Sequence, residues 1–574
     1  MTKINARYAN TISTKNGIPQ SEPIPGHEAD MKENSAGGYS FAVDKWGQLR
    51  RFLILGSEGG SYYASEKKMV KENAKSALAC IKEDGKKVVD IVLEIIKEGR
   101  APKVDPSLFI LALAHNSGDE KTKCYVKDKL CEALNIGTHY FDYFNNLKAL
   151  GGFTSSAQKA FSKIYNGLTL ERLAFLLVKY QQRNGVTHAD ILRQCHIVPV
   201  DDAHELAFAY ATGKLKPKNL DKGLWEKIIV SGNELSGKGK NRKRVITTKT
   251  NYVAVDLLAF KIIEGFERAK LAKTEKEIIE LIENYHLPQE CVPTQFLNKP
   301  DVAEVLLKGM PITATLRGLG KITATGILKP FSENAKTVVK RITNPEILRK
   351  GKVHPLHVLT ALYIYKAGHG LKGDLSWEPN QQIVDALDEA FYLAFKTIEP
   401  TGKNFYLALD VSGSMGWGNI AGSPFTPRVA SVAMAMVTAR SEKNYYLKGF
   451  SHTLVDIPIT AKTTLDDAIC KSEKIPMGGT DCSLPMLDAM NKKLEVDTFV
   501  VYTDSETWAG RTCHPIQALD KYKNKMGIDS KLIVCGMMAN EFSIADPKRN
   551  DNLDIVGFDS ATPQIIADFA RELI

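Results

Sequence analysis

Hydrophobic positions change their period once along this chain. From Ser65 to about Phe395 apolar residues recur at helical spacing, broken by short stretches of Gly, Pro and Asn, the pattern of helices that each bury one stripe. Val88, Val89, Val92, Leu93 and Ile96 form one such stripe. Asp105-Pro106 reads as a cap followed by proline at the first helical position, opening a helix over Leu108 to His115. Thr274-Glu275-Lys276-Glu277 reads as a capping box before Ile278, Ile279 and Ile282. The segments run to about 10–18 residues with short linkers, so neighbouring helices are expected to pack antiparallel. Many hairpins in series, with no strand between them, predict an α-solenoid of irregular pairs without a fixed repeat length.

Beyond residue 400 apolar runs alternate with helical patterns. Phe405 to Leu409, Tyr445 to Phe450, Thr498 to Tyr502, Lys531 to Cys535 and Leu553 to Gly557 read as strands. Val429 to Ser441, Leu465 to Ser472, Leu484 to Leu494, Ile516 to Lys525 and Thr562 to Leu573 read as helices. That alternation predicts a parallel sheet with helices on both faces. Residues 1–45 are polar, with Gly17, Pro19, Pro23, Pro25 and Gly26, and read as an arm with little structure of its own. Trp46 to Tyr63 reads as a short strand and a glycine-rich turn, without the Gly-Lys-Ser/Thr of a phosphate loop. The expected organisation is an α plus α/β multidomain chain: an arm over 1–45, a helical repeat domain over 46–399 and an α/β domain over 400–574.

The loop Asp410-Val411-Ser412-Gly413-Ser414-Met415 leaves the first C-terminal strand where open α/β sheets hold ligands. One carboxylate and two hydroxyls at alternate positions are an all-oxygen set, suited to a hard divalent cation. Gly478-Gly479-Thr480-Asp481 and Thr503-Asp504-Ser505 offer further oxygens from later loops. Asp and Ser are also common turn and cap residues, so the first loop alone would be a weak signal. Asp410, Ser412, Ser414, Thr480 and Asp504 in that order resemble the metal-ion-dependent adhesion site of von Willebrand factor A domains. The expected cofactor is Mg²⁺, with an open position for a partner's acidic side chain or an anion. Glu506 and His514 are the only candidates nearby for a general base, and no nucleophile pairs with a histidine, so binding is expected rather than hydrolysis.

Length and composition change this picture little. At 574 residues the chain exceeds one ordinary core, and 44% hydrophobic with 25% charged residues is ordinary for a globular protein. No apolar run approaches the roughly 18 residues that span a bilayer, and Met1 to Gln20 is too polar for a signal peptide. A soluble, intracellular protein is expected, in the cytoplasm, with the nucleus left open. The nine cysteines lack any Cys-x-x-Cys spacing, and Cys124 and Cys131, on one helix face, read as small buried residues. The formal charge of +10 is compatible with a polyanionic partner.

Two basic stretches bear on that partner. Lys179 and Arg183 are expected four apart on one helix, facing the same way. His188 and His196 follow on the next predicted helix, with Thr187 as its cap, and His196 beside Cys195 and Ile197 could equally be a core histidine. Lys238-Gly239-Lys240-Asn241-Arg242-Lys243-Arg244 reads as a mobile basic loop, open to phosphate contact, nuclear targeting or an idle insertion. His354-Pro355-Leu356-His357 starts a helix through Tyr365, and its two histidines lack a third metal ligand, so capping and packing are expected.

Five stretches together go further: Phe52 to Tyr63, Lys179-Tyr180-Gln181-Gln182-Arg183-Asn184-Gly185, Leu316-Arg317-Gly318-Leu319-Gly320-Lys321, His354-Pro355-Leu356-His357 and Gly478-Gly479-Thr480-Asp481-Cys482-Ser483-Leu484-Pro485. Over residues 46–574 the chain resembles the Ro ribonucleoprotein autoantigen family, whose helical part is the TROVE domain. The resemblance implies a monomeric ring of HEAT-like helical repeats closed by the A domain. It implies small non-coding Y-type RNA on the outer surface and single-stranded ends of misfolded non-coding RNA in the central hole, serving RNA quality control and stress survival. It places Lys179, Arg183 and His196 on positions of RNA contact, with His188, Lys240, Arg242, Lys243 and Arg244 as further candidates. Cations lining a hole suit a single-stranded backbone. The alternative is a Mg²⁺-dependent protein-interaction adaptor acting through the A domain, with the helices as spacer.

Overall fold

The computed structural model describes residues 17–56, 74–236, 243–371, 374–395, 399–420 and 423–574. The first described segment departs from the expected unstructured arm. Residues 17–44 carry a two-stranded ribbon, β1 (Met31–Glu33) and β2 (Tyr39–Ala42), paired antiparallel. Ile24, Met31 and Phe41 are buried with residues of the C-terminal domain. The Pro and Gly content of this segment serves turns, while its few apolar residues are enough to anchor it.

Residues 46–56 are not the expected strand. Lys45–Leu55 is a helix, N-capped by the Asp44 side chain and closed by Gly56 at φ 92°, a left-handed position that glycine adopts without Cβ strain. The glycine-rich turn beyond Gly56 lies outside the described residues.

Helices then follow in series: Lys75–Glu98, Asp105–Ser117, Glu120–Ala133, Gly137–Ala149, Ser155–Gly167, Leu170–Lys179, His188–Gln194 and Asp202–Ala211. Val88, Val89, Val92, Leu93 and Ile96 are buried as their spacing predicts. The Thr274 capping box is present, with both reciprocal hydrogen bonds, at Glu275–Tyr285. Asp105 is inside its helix and makes no side-chain cap; Pro106 supplies the start. Cys124 and Cys131 are exposed, not buried: a shared face of a helix does not say which face meets solvent.

Strands interrupt the helical series, which the periodicity did not predict. A two-stranded hairpin, β3 (Gln182–Arg183) and β4 (Val186–Thr187), follows Lys179. After Ala211 a three-stranded antiparallel sheet forms from β5 (Leu215–Asn219), β6 (Leu224–Ser236) and β7 (Lys243–Ala254). Helices resume from Lys261–Ala269 to Gln381–Leu393.

The two ends of the helical domain meet. His354 Nε2 bonds to the Arg100 carbonyl at 3.0 Å, and Lys352 Nζ donates to the Ile96 carbonyl at 3.4 Å. His354 Nδ1 also accepts from Leu356 N at 3.1 Å, so this histidine caps and packs, as expected. Burial pushes its pKa down to about 3.

The C-terminal domain has a six-stranded sheet of β8 (Asn404–Asp410), β9 (Asn444–Phe450), β10 (Leu454–Val455), β11 (Thr498–Thr503), β12 (Lys531–Gly536) and β14 (Asn552–Val556), in the order β10-β9-β8-β11-β12-β14. Only β10 runs antiparallel. The short β13 (Phe542–Ser543) leaves this sheet to pair with β2, so the arm is stitched to the last domain.

Buried ions fasten the domains. Arg51, 2% exposed, donates from Nη2 to both Asp554 carboxylate oxygens at 2.7 and 2.8 Å and from Nη1 to the Asn540 and Phe542 carbonyls. Arg100 Nη2 pairs with Asp559 at 2.6 Å. Two planar guanidiniums at one seam fix orientation as well as proximity. No helix among the described residues is long and apolar enough to cross a membrane.

Candidate metal centre and cationic surface

Chain order places the metal loops. From β8 the chain crosses to β9 on one side, and β11 pairs with the other side of β8. The reversal opens a crevice at the carboxyl ends of β8 and β11, where doubly wound sheets bind ligands. Asp410 ends β8, and Asp504 follows β11 directly.

All five predicted oxygen donors are buried at this crevice: Asp410 0%, Ser412 1%, Ser414 4%, Thr480 2% and Asp504 2% exposed. Asp410 Oδ1 accepts from Ser412 N at 2.9 Å, and Oδ2 accepts from Thr503 Oγ1 at 2.6 Å. The Ser412 and Ser414 hydroxyls lie 3.2 Å apart. Gly413 N donates to the Gly478 carbonyl at 3.1 Å, tying the first loop to the Thr480 loop. Arg428, 3% exposed, donates to the Val411, Ser412 and Ile475 carbonyls and holds the first loop from behind.

Asp504 Oδ1 accepts from Glu506 N at 3.0 Å, while Oδ2 is buried without a hydrogen-bond donor. Burial, then the neighbouring Asp410 and Glu506 charges, push the Asp504 carboxyl well above the usual range. Burial likewise raises Asp410. Two buried carboxylates with an unsatisfied oxygen are costly unless a cation joins them. The oxygen-only donor set fits a hard divalent ion.

The arm reaches this site, a contribution that sequence reasoning missed. Gln20, 0% exposed, donates from Nε2 to Asp481 Oδ1 at 2.8 Å and to the Cys513 carbonyl at 3.0 Å. Its Oε1 accepts from Thr507 Oγ1 at 2.5 Å and Gly510 N at 3.2 Å. One amide therefore clamps two metal loops together. Ala36 N donates to Glu506 Oε2 at 3.1 Å, and His514 Nε2 bonds to the Glu22 carbonyl at 2.9 Å. Both residues weighed as a general base are engaged by the arm.

The basic candidates do not form a comparable cluster. Lys179 closes its helix, while Arg183 stands on β3, so the two do not share a helix as expected. The helix ends at Tyr180, with φ −115° and ψ 68°, and beyond Arg183 an Asn-Gly turn closes the hairpin: Asn184 and Gly185 have φ of 49° and 76°, the two left-handed residues of a tight hairpin. That dipeptide was the signal in the sequence. Asn184 Nδ2 anchors the turn to Asp142 Oδ1 at 2.8 Å.

Arg183 is exposed. Lys179 is mostly covered, its ammonium 4.0 Å from Glu290 and near the faces of Phe175 and Tyr180. His196 is exposed, just beyond the Thr187-capped helix rather than on it, at φ 51°.

His188 is 3% exposed, bonded through Nδ1 to Tyr165 OH at 2.6 Å and ringed by Tyr140, Phe141 and Tyr165. Burial holds its pKa down at about 4. It is a core residue, so the expectation that it faces RNA does not fit its burial. Lys243 and Arg244 begin β7, paired with Ser236 and Leu235, so the expected mobile loop is partly a hairpin. Lys240 and Arg242 lie outside the described residues.

Comparisons with known proteins agree with both domains. Residues 32–363 match the TROVE domain model and residues 404–570 the Ro60 vWA domain model. A Deinococcus radiodurans protein named RNA-binding protein RO60 is 36% identical, covering 96% of this chain and 97% of its own length. A Caenorhabditis elegans protein of the same name is 35% identical, covering 94% of this chain and 89% of its own. The crystal structure of the Deinococcus radiodurans RO (RSR) protein superposes with a TM-score of 0.67 at 36% identity, covering 92% of this chain and 100% of that one. A helical TROVE domain followed by an A domain with a mostly parallel sheet, matched along nearly the whole chain, makes this protein a member of the Ro60 family.

Proposed function

We propose that this chain is a non-enzymatic, RNA-binding member of its family, holding small non-coding Y-type RNA and the single-stranded ends of misfolded non-coding RNA. The observation that carries the reading is the end-to-end likeness to two proteins named RNA-binding protein RO60, together with exposed Arg183 on a rigid Asn-Gly hairpin. A fixed, solvated guanidinium is suited to phosphate contact without sequence readout. Lys179, beside it in sequence and already opposite Glu290, would exchange that neighbour for phosphate. The service is RNA quality control and stress survival in the cytoplasm, by a monomeric ring of HEAT-like repeats.

The A-domain crevice would hold Mg²⁺ on Asp410, Ser412, Ser414, Thr480 and Asp504. The ion would supply a fixed positive centre with an open position for the carboxylate of a protein partner. Asp504 Oδ2, buried and without a donor, supports this use.

The test is binding of a labelled single-stranded 3′ RNA tail at two salt concentrations. Affinity should fall steeply with salt, and Lys179→Ala with Arg183→Ala should remove most of it. Unchanged binding by a folded double variant would sink the RNA reading.

A further inference from the structure

Three large apolar side chains stand exposed around the metal crevice, one from each loop that supplies it: Trp417 at 59%, Met477 at 54% and Trp508 at 41% exposure. Glycines seat them. A methyl group added at Gly416 would lie 2.6 Å from the Met477 Cε, and one at Gly479 would lie 2.9 Å from the Trp508 ring. Backbone bonds fix two of them to the site: Trp417 N donates to the Ser414 carbonyl at 3.2 Å, and Trp508 N to the Thr480 carbonyl at 3.0 Å. Exposed apolar residues grouped on one rim mark an interaction surface, and Trp is prominent among residues that dominate such surfaces.

The stretches that bear these side chains are uncharged, with exposed Lys474 and Arg511 bordering them. The stretches 411–427, 475–480 and 507–510 contain no Asp, Glu, Lys or Arg. A surface built for RNA would carry Lys or Arg against phosphates, and the three stretches that bear the apolar side chains supply none of their own. The crevice floor asks for a cation, through the buried Asp504 Oδ2 without a donor, and a cation there would draw one carboxylate.

We infer that the A domain captures an acidic peptide segment of a protein partner, one Asp or Glu reaching the metal while bulky apolar residues on either side of it pack on Trp417, Met477 and Trp508. The inference rests on the metal reading above and adds the flanking specificity to it. The carboxylate alone would be held weakly; the apolar contacts would select which acidic segment is held.

The experiment uses the full chain with Mg²⁺ and three probes: acetyl-Leu-Glu-Leu-amide, acetyl-Ser-Glu-Ser-amide and a ten-residue oligouridylate. Mg²⁺ uptake is measured first by calorimetry, then probe binding by tryptophan fluorescence and competition. The leucine-flanked peptide should bind at least tenfold tighter than the serine-flanked one, only with Mg²⁺ present. Trp417→Ser should lose that tenfold preference while Mg²⁺ uptake stays unchanged, and Trp508→Phe should keep most of it.

Ser412→Ala should lose Mg²⁺ and peptide together. Equal binding of both peptides by a Mg²⁺-loaded protein overturns the apolar rim and leaves the metal site standing. No Mg²⁺ uptake by the native chain overturns both. Preferential capture of the oligouridylate, lost in Trp417→Ser, would make the rim a nucleic-acid surface and overturn the proposal.

Discussion

The two domains distribute charge in opposite ways. The A-domain crevice buries two carboxylates side by side at its floor, whereas the helical domain buries neutral histidines in its core and pairs Arg51 and Arg100 with carboxylates of the A domain. In the crevice, Asp410 and Asp504 share one buried space and each raises the energy of charging the other. In the core of the helical domain burial holds histidines neutral: it lowers His115 and His188 to about 4 each. Such a core asks for no ligand. A floor of two buried carboxyls that are costly to ionise does, and this difference is what the proposed metal and RNA sites rest on.

The largest test concerns the seam between the two. Arg51→Ala strips the buried partner from Asp554 and removes donors from two carbonyls. Breaking such a pair should cost about 3–5 kcal/mol, read as a lower denaturant midpoint. If both domains keep their binding in that variant, the contrast between them is intrinsic to each. Next, Asp410→Ala should weaken Mg²⁺ binding at least a hundredfold, about 2.7 kcal/mol, by calorimetry, while RNA-tail affinity stays within twofold. Loss of RNA binding in the same variant would break the separation drawn here.

The neutral core makes a pH prediction. The folded-state pKa of His188 lies below its ordinary value, so its contribution is present above about pH 6.5 and lost as pH falls toward about 4. Between pH 7 and pH 5 each such histidine should cost about 2 kcal/mol of stability. His188→Gln, which can still meet Tyr165 OH, should flatten that slope by one histidine's share. The smallest effect is expected at the surface. Arg183→Ala alone should lower RNA-tail affinity severalfold, about 1 kcal/mol, and reduce its salt dependence, with Lys179→Ala smaller because Glu290 already neutralises part of its charge.

The metal loops were legible because strand alternation fixes where residues go. An oxygen-bearing loop that follows a buried parallel strand emerges at one edge of the sheet, and every such loop emerges at the same edge. Asp410 and Asp504 thus come together without knowledge of any side-chain contact, while Thr480, in a loop between the helices Leu465–Glu473 and Leu484–Lys492, is brought in by the Gly413–Gly478 backbone bond. The helical domain gives no such rule. Helical spacing shows which residues share a face but not whether that face is buried, which misplaced Cys124, Cys131 and His188. It also ran Lys179 and Arg183 together past the helix end at Tyr180, although the Asn-Gly turn just beyond Arg183 marks a hairpin there. The strands of the β5–β7 sheet are rich in Lys, Asn and Thr and carry little apolar alternation, so periodicity passed over them. The arm escaped because its apolar anchors, Ile24, Met31 and Phe41, are few and widely spaced and the rest of its hold is polar. Gln20 and Asn34 act through side-chain amides on the loop around Thr507, and hydrophobic pattern is blind to these.

One connection has a bearing on how the chain comes to be assembled. β2 precedes its partner β13 by some 500 residues, so the ribbon is made early and can close only after most of the chain exists. At ordinary elongation of about 5–20 residues per second, that interval is roughly 25–100 s. During it the apolar side chains Ile24, Met31 and Phe41 have no docking site, and Gln20 has no loops to clamp. The crevice is therefore completed by a segment made early arriving at one made some 500 residues later.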